Sequence, residues 1–139
     1  MLTRIGQKLN ICQILNDKLT KRKKAIFVGQ KLRMIQNLNL MDFDDQMKHG
    51  YALVDYWAPW CQPCLDQNPL LEEIAKALSP RIKVFKVDIN DNRVISNKEG
   101  VRNIPLLILY QDSKQIARFQ GIQSKEIIIQ SITNILHDL

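Results

Sequence analysis

No stretch of this 139-residue chain approaches the ~18 uninterrupted apolar residues that a membrane-spanning helix requires. Glycine and proline number only five each, which excludes collagen-like and low-complexity sequence. Three cysteines are too few for a secreted disulfide scaffold, and two of them lie three residues apart, a spacing that suggests redox or metal chemistry. No internal repeat is visible. Acids are almost missing from the first 34 residues, where Asp17 stands alone against nine bases. What is present is ordinary: 45% hydrophobic and 24% charged residues, enough for one globular domain with a core that needs no staple.

The formal net charge of +6 is unevenly spread. Nine bases and one acid give residues 1–34 a charge of +8, and the eleven bases and thirteen acids that follow sum to −2. The basicity belongs to an arm and not to the body, so no nucleic-acid partner is expected. Within the arm, Leu2, Ile5, Leu9, Cys12, Leu15 and Leu19 recur at gaps of three and four, one face of a helix, before the run Lys21-Arg22-Lys23-Lys24. Three readings fit: a basic targeting segment, a helix lying on an anionic membrane or on the body, or an extension preceding a natural start at Met34. No compact apolar region of a secretory signal follows the charges. We therefore divide the chain into an N-terminal helical or flexible extension, 1–33, and a domain, 34–139.

The body alternates short apolar runs with helical patterns. Strands are expected at Ile35–Leu40, Tyr51–Trp57, Ile82–Ile89, Leu106–Tyr110 and Gln115–Phe119. The second, YALVDYW, reads as a central strand covered on both faces. Helices are expected at Met41–Lys48 with Asp42 as N-cap, at Cys61–Leu78 with Pro69 as a kink, at Asp91–Glu99 ended by Gly100, and after the N-cap Ser124 with Ile127, Ile128, Ile132, Ile135 and Leu136 buried. The order β-α-β-α-β-α-β-β-α describes an α/β fold with helices on the faces of one sheet.

The chemistry is concentrated in WAPWCQPC, residues 57–64. A strand ends at Trp57 and a helix starts at Cys61, where unpaired amide N–H groups favour an anion and lower a thiol's pKa. Cys64 follows on the same face, close enough for a disulfide without backbone movement. Pro63 lies in the first turn, where its missing N–H costs nothing. Cys61 is expected to be the exposed attacker and Cys64 the shielded resolver. Asp55 interrupts an apolar strand, and burial should raise its pKa unless a partner offsets the desolvation.

From Met34 onward the chain resembles the thioredoxin family, with WCQPC where the family has WCGPC. The resemblance includes LVDYWAPWCQPC, the helix proline Pro69, Lys86 in the third strand, Ile104-Pro105 before the fourth and Gly121 after the fifth. It implies a thioredoxin fold, a central mixed sheet flanked by helices on both faces, and a protein-disulfide reductase that works by dithiol–disulfide exchange. It also implies that Asp55 is the general base for Cys64, that Lys86 tunes Asp55, and that Pro105 is cis. The backbone of Ile104 would then be free to pair with an extended substrate. Trp60, Gln62, Pro63, Ile89, Ile104, Pro105 and Gly121 would line the substrate groove. No bound cofactor is implied beyond a redox-active Cys61–Cys64 disulfide. The implied partners are disulfide-bonded protein substrates and an NADPH-dependent flavoprotein reductase.

The sequence departs from that pattern at Gln62, between the cysteines, and at Leu65, Asn103 and Gln120. The dipeptide between the cysteines tunes the pair's potential, so oxidase or isomerase direction is an alternative. A thioredoxin-like binding or holdase-type module is another. A zinc site would have to recruit Cys12, His49 or His137, none at finger spacing, and is not expected; the two histidines read as surface residues. A reducing cytoplasm is the expected location, with an organelle reached through the arm as the alternative.

Overall fold

A computed structural model describes residues 34–138, and the readings of the arm, Cys12 included, lie outside the described residues. In chain order the elements are β1 (Ile35–Asn37), α1 (Leu40–Met47), β2 (Tyr51–Trp57), α2 (Gln62–Asp66), α3 (Asn68–Leu78), β3 (Ile82–Asp88), α4 (Arg93–Lys98), β4 (Leu106–Gln111), β5 (Lys114–Gln120) and α5 (Lys125–His137). The sheet is five-stranded and mixed, in the order β1-β3-β2-β4-β5. β1 and β2 flank β3 in parallel, and β4 runs antiparallel to both β2 and β5.

Side chains alternate across the pleat, and each face of the sheet has its own core. On one face Ala52, Val54 and Tyr56 of β2 join Phe43 and Met47 of α1 and Ile95 of α4. On the other, Leu53 joins Leu71, Ile74, Ala75 and Leu78 of α3 and Ile128 and Ile132 of α5. β2 is thus buried on both sides, as its unbroken apolar run requires. The same alternation puts Asp55 and Trp57 on the Leu53 side, the side covered by α3 and α5.

Several expected boundaries are corrected. β1 stops at Asn37, because Asn39 caps α1: its side chain accepts from the Met41 and Asp42 N–H groups. Asp42 is not the cap but lies in the first turn, where a carboxylate suits the helix dipole. The single kinked helix expected over Cys61–Leu78 is two helices. Pro69 has no N–H to give Leu65, so α2 ends at Asp66 with Gln67 as its cap, and α3 begins afresh with Pro69 in its first turn. α4 is shorter than expected, Gly100 following it at φ +71°, the left-handed region that favours glycine. In α5, Ser124 is the cap as expected, accepting from the Ile127 N–H at 3.3 Å. Ile127 itself is exposed at 56%, and Ile135 and Leu136 are only partly covered; Ile128 and Ile132, one turn apart, are the buried pair.

Candidate functional site

β2 delivers the chain to the edge of the core at Trp57, and α2 takes it back one turn later. Between them Cys61 acts as N-cap of α2: its N–H donates to the Ala58 carbonyl at 3.0 Å, and its Sγ accepts the Cys64 N–H at 3.3 Å. Cys61 and Cys64 are joined in a disulfide with their Cα atoms 5.3 Å apart, inside the usual range. The expectation that Cys61 is exposed is corrected. It is 5% exposed and Cys64 1%, so both are buried and the asymmetry, though in the expected direction, is small. The cause is packing: Ala58 and the two cysteines form a small cluster with Trp57, Ile89 and Ile104 against them.

Around that cluster the other expected groove residues take different positions. Trp60 is 66% exposed, and its indole N–H donates to Asn90 Oδ1 at 3.2 Å. Gln62 and Pro63 are exposed on the rim, the Gln62 amide donating to Asp66 Oδ1 at 2.8 Å. The Ile104–Pro105 peptide is cis, as the resemblance implies. Pro105 is buried, and its carbonyl accepts from the Gly121 N–H at 2.9 Å. Among the described residues Ile104 makes no backbone hydrogen bond. Gly121 sits at φ +74°, where a side chain would be strained. His49 and His137 are exposed, as expected.

Asp55 lies in a row across the sheet, paired in register with Lys86 of β3 on one side and Leu107 of β4 on the other. It is 2% exposed, and its Oδ1 has no hydrogen-bond partner among the described residues. Burial pushes its carboxyl from the ordinary 3.8 up to about 7, only partly offset by the Lys86 charge. Lys86 does not form an ion pair with it. The ammonium lies 4.3 Å from the Trp57 ring centroid and donates to Asn68 Oδ1 at 2.5 Å.

Three polar residues of this region carry no signal in the sequence reading. Asn68, at the start of α3, holds the lysine. Gln67, at the α2–α3 junction, is buried with neither amide atom partnered among the described residues. Gln120, noted above only as a departure, donates from Nε2 to the carbonyls of Asn103 and Pro105 at 3.2 Å each, tying β5 to the loop before β4. The polar string Asp66-Gln67-Asn68 inside an otherwise apolar helix pattern was the available hint. Among the described residues no cluster of His, Cys, Asp or Glu could hold a metal ion, and no helix is long and apolar enough to cross a membrane.

The domain that carries this strand-end CxxC disulfide, the buried Asp55 and the cis Ile104–Pro105 peptide is similar to known proteins. The thioredoxin family model matches residues 34–134. A thioredoxin of Rickettsia bellii is 40% identical over 103 residues, 73% of this chain and 98% of that protein. A thioredoxin of Bacillus subtilis is 34% identical over 92 residues, covering 66% and 88%. Among solved structures, a mutant thioredoxin from Halobacterium salinarum NRC-1 superposes with a TM-score of 0.65 at 26% identity, over 72% of this chain and 88% of that one. A match spanning nearly the whole described domain, at such identity and with the disulfide in place, leaves one assignment: this chain belongs to the thioredoxin family.

Proposed function

We propose that the chain is a thiol–disulfide oxidoreductase that reduces protein disulfides, and the observation that carries this is the Cys61–Cys64 disulfide at the N-terminus of α2. In the reduced protein the Cys61 thiolate attacks one sulfur of a substrate disulfide, and the other substrate sulfur leaves as a thiolate that takes a proton from solvent. Cys64 then loses its proton, attacks the Cys61 sulfur of the mixed disulfide and expels the second substrate thiolate. Two electrons pass to the substrate, and the Cys61–Cys64 disulfide remains. The Cys64 N–H already directed at Cys61 Sγ supports that sulfur as the stabilised anion.

Asp55 is the base for Cys64 in this scheme. A carboxyl pushed up to about 7 is part ionised near neutral pH, so it can both take and return a proton. Its place on the face covered by α3, the helix that resumes directly after α2, supports that role. Lys86 tunes the acid from the neighbouring strand. Ile104 offers an unpaired backbone edge to an extended substrate, with Trp60, Gln62, Pro63, Ile89, Pro105 and Gly121 around it.

The reductant is an NADPH-dependent flavoprotein reductase, the working location a reducing cytoplasm, and residues 1–33 an accessory extension whose positive charge meets anionic surfaces. Insulin precipitation coupled to dithiothreitol tests the activity. Wild type should accelerate it several-fold over Cys61→Ser, and equal rates would overturn the reading.

A further inference from the structure

Two groups compete for one cation on the α3 side of the sheet. Lys86 is paired in register with Asp55, the nearest arrangement two strands allow, yet its ammonium is bonded to Asn68 Oδ1 and packed on the Trp57 ring. Asp55 Oδ1 is left without a hydrogen-bond partner among the described residues. A buried, unpartnered carboxyl beside a lysine that turns to a neutral amide is an arrangement that costs stability. We propose that Asn68 is a positioning residue of the redox site, which holds the Lys86 ammonium away from Asp55 and so keeps that carboxyl free to accept the Cys64 proton.

The chemistry follows from the three groups. An ionised Asp55 attracts the ammonium, and the more closely the two pair, the weaker a base the carboxylate becomes. Asn68 supplies an uncharged acceptor strong enough to hold the lysine, and the Trp57 face adds a second contact, so the cation is near enough to temper the burial of Asp55 but does not neutralise it. The charged surroundings of Asp55 are few. β4 places Leu107 beside it; α3 opens with the neutral Asn68 and carries Glu72, Glu73 and Lys76 exposed; α5 carries the exposed Glu126 and His137 and its Lys125 paired with Glu73; and α2 carries Cys64, which titrates only when reduced, and the exposed Asp66. Lys86 of β3 is the charge acting on it. This role rests on the functional reading above, in which Asp55 serves Cys64.

The test is a carboxyl-carbon NMR titration of Asp55 in the full-length oxidised protein, with no substrate present. In Asn68→Leu the lysine is released to the carboxylate, and the Asp55 midpoint should fall by about one pH unit, the effect of an opposite charge brought within ~4–6 Å. Asn68→Asp, which grips the lysine harder and adds a negative charge, should raise it, and this variant keeps the question open to refutation if Asn68→Leu does not fold. In a Lys86→Met background, Asn68→Leu should leave the midpoint where Lys86→Met alone puts it. A midpoint that stays or rises in Asn68→Leu, stays or falls in Asn68→Asp, or shifts equally with and without Lys86 would overturn the proposal. Absence of disulfide reduction by the wild type would overturn the functional reading and leave this titration unaffected.

Discussion

Replacing Asp55 with asparagine removes a titrating group from the interior while keeping its shape. In the unfolded chain the carboxyl ionises near its ordinary 3.8, and in the fold burial raises that value to about 7. Between those two values the native state holds a proton that the unfolded state has released, so unfolding becomes easier as pH rises. The destabilisation is absent below ~3.8, grows through the window, and is complete above about 7. A gap of about three pH units at ~1.36 kcal/mol per unit makes the full effect about 4 kcal/mol, a large fraction of a typical ~5–15 kcal/mol stability. Asp55→Asn lacks this penalty at every pH. Urea unfolding of both oxidised proteins from pH 4 to pH 9 should therefore show the variant gaining on the wild type by about 4 kcal/mol across the range, with most of the gain between pH 4 and pH 7. A stability difference that does not change with pH would refute a carboxyl held neutral by burial.

The buried tyrosine pair gives an asymmetric prediction. Tyr56 and Tyr110 share a 2.7 Å hydrogen bond, and the Tyr110 hydroxyl also donates to Glu99 Oε2 at 3.0 Å. Tyr110→Phe strips both and strands the Tyr56 hydroxyl, so chemical denaturation should show a loss of about 2 kcal/mol, against about 1 kcal/mol for Tyr56→Phe. Leu53→Ala opens a cavity between β2, α3 and α5 and should cost ~2–5 kcal/mol by the same assay. Gln120→Val removes both bonds to the loop before β4 and should raise KM for a protein disulfide several-fold while leaving reduction of a small aromatic disulfide nearly unchanged. Deleting residues 1–33 should likewise leave small-substrate turnover nearly unchanged while weakening salt-sensitive binding to anionic liposomes, since every residue given a chemical role lies from Asp55 to Gly121.

The strands were the most legible part of the fold. YALVDYW lies between Gly50 and the turn at Pro59, and its bounds in the structure, Tyr51–Trp57, are those read from its apolar pattern. Helix ends were less legible, because polar caps compete locally: Asn39 took the role assigned to Asp42 once β1 proved shorter than the expected Ile35–Leu40. The break at Gln67 could have been read from Pro69, whose missing N–H must interrupt the ladder one turn back. Ile127 and Ile128 could not both face inward, and periodicity alone did not choose between them. At the site, the cysteine pair was legible from spacing, and the burial of Asp55 from the apolar strand around it. The Asn68–Lys86 bond and the Gln120 tie were not, since each joins residues at least 15 positions apart that meet only when helix and strands pack.

Trapping the mixed disulfide tests the proposed division of labour between the cysteines most directly. In a Cys12→Ser background, the reduced Cys64→Ser variant is mixed with a disulfide-bonded protein, and the products are separated without reductant and mapped by peptide mass spectrometry. The expected result is a stable adduct carried by Cys61, with none from the Cys61→Ser variant under the same conditions. An adduct carried by Cys64 in the Cys61→Ser variant at equal yield, or no adduct from either, would contradict Cys61 as nucleophile and Cys64 as the cysteine that resolves.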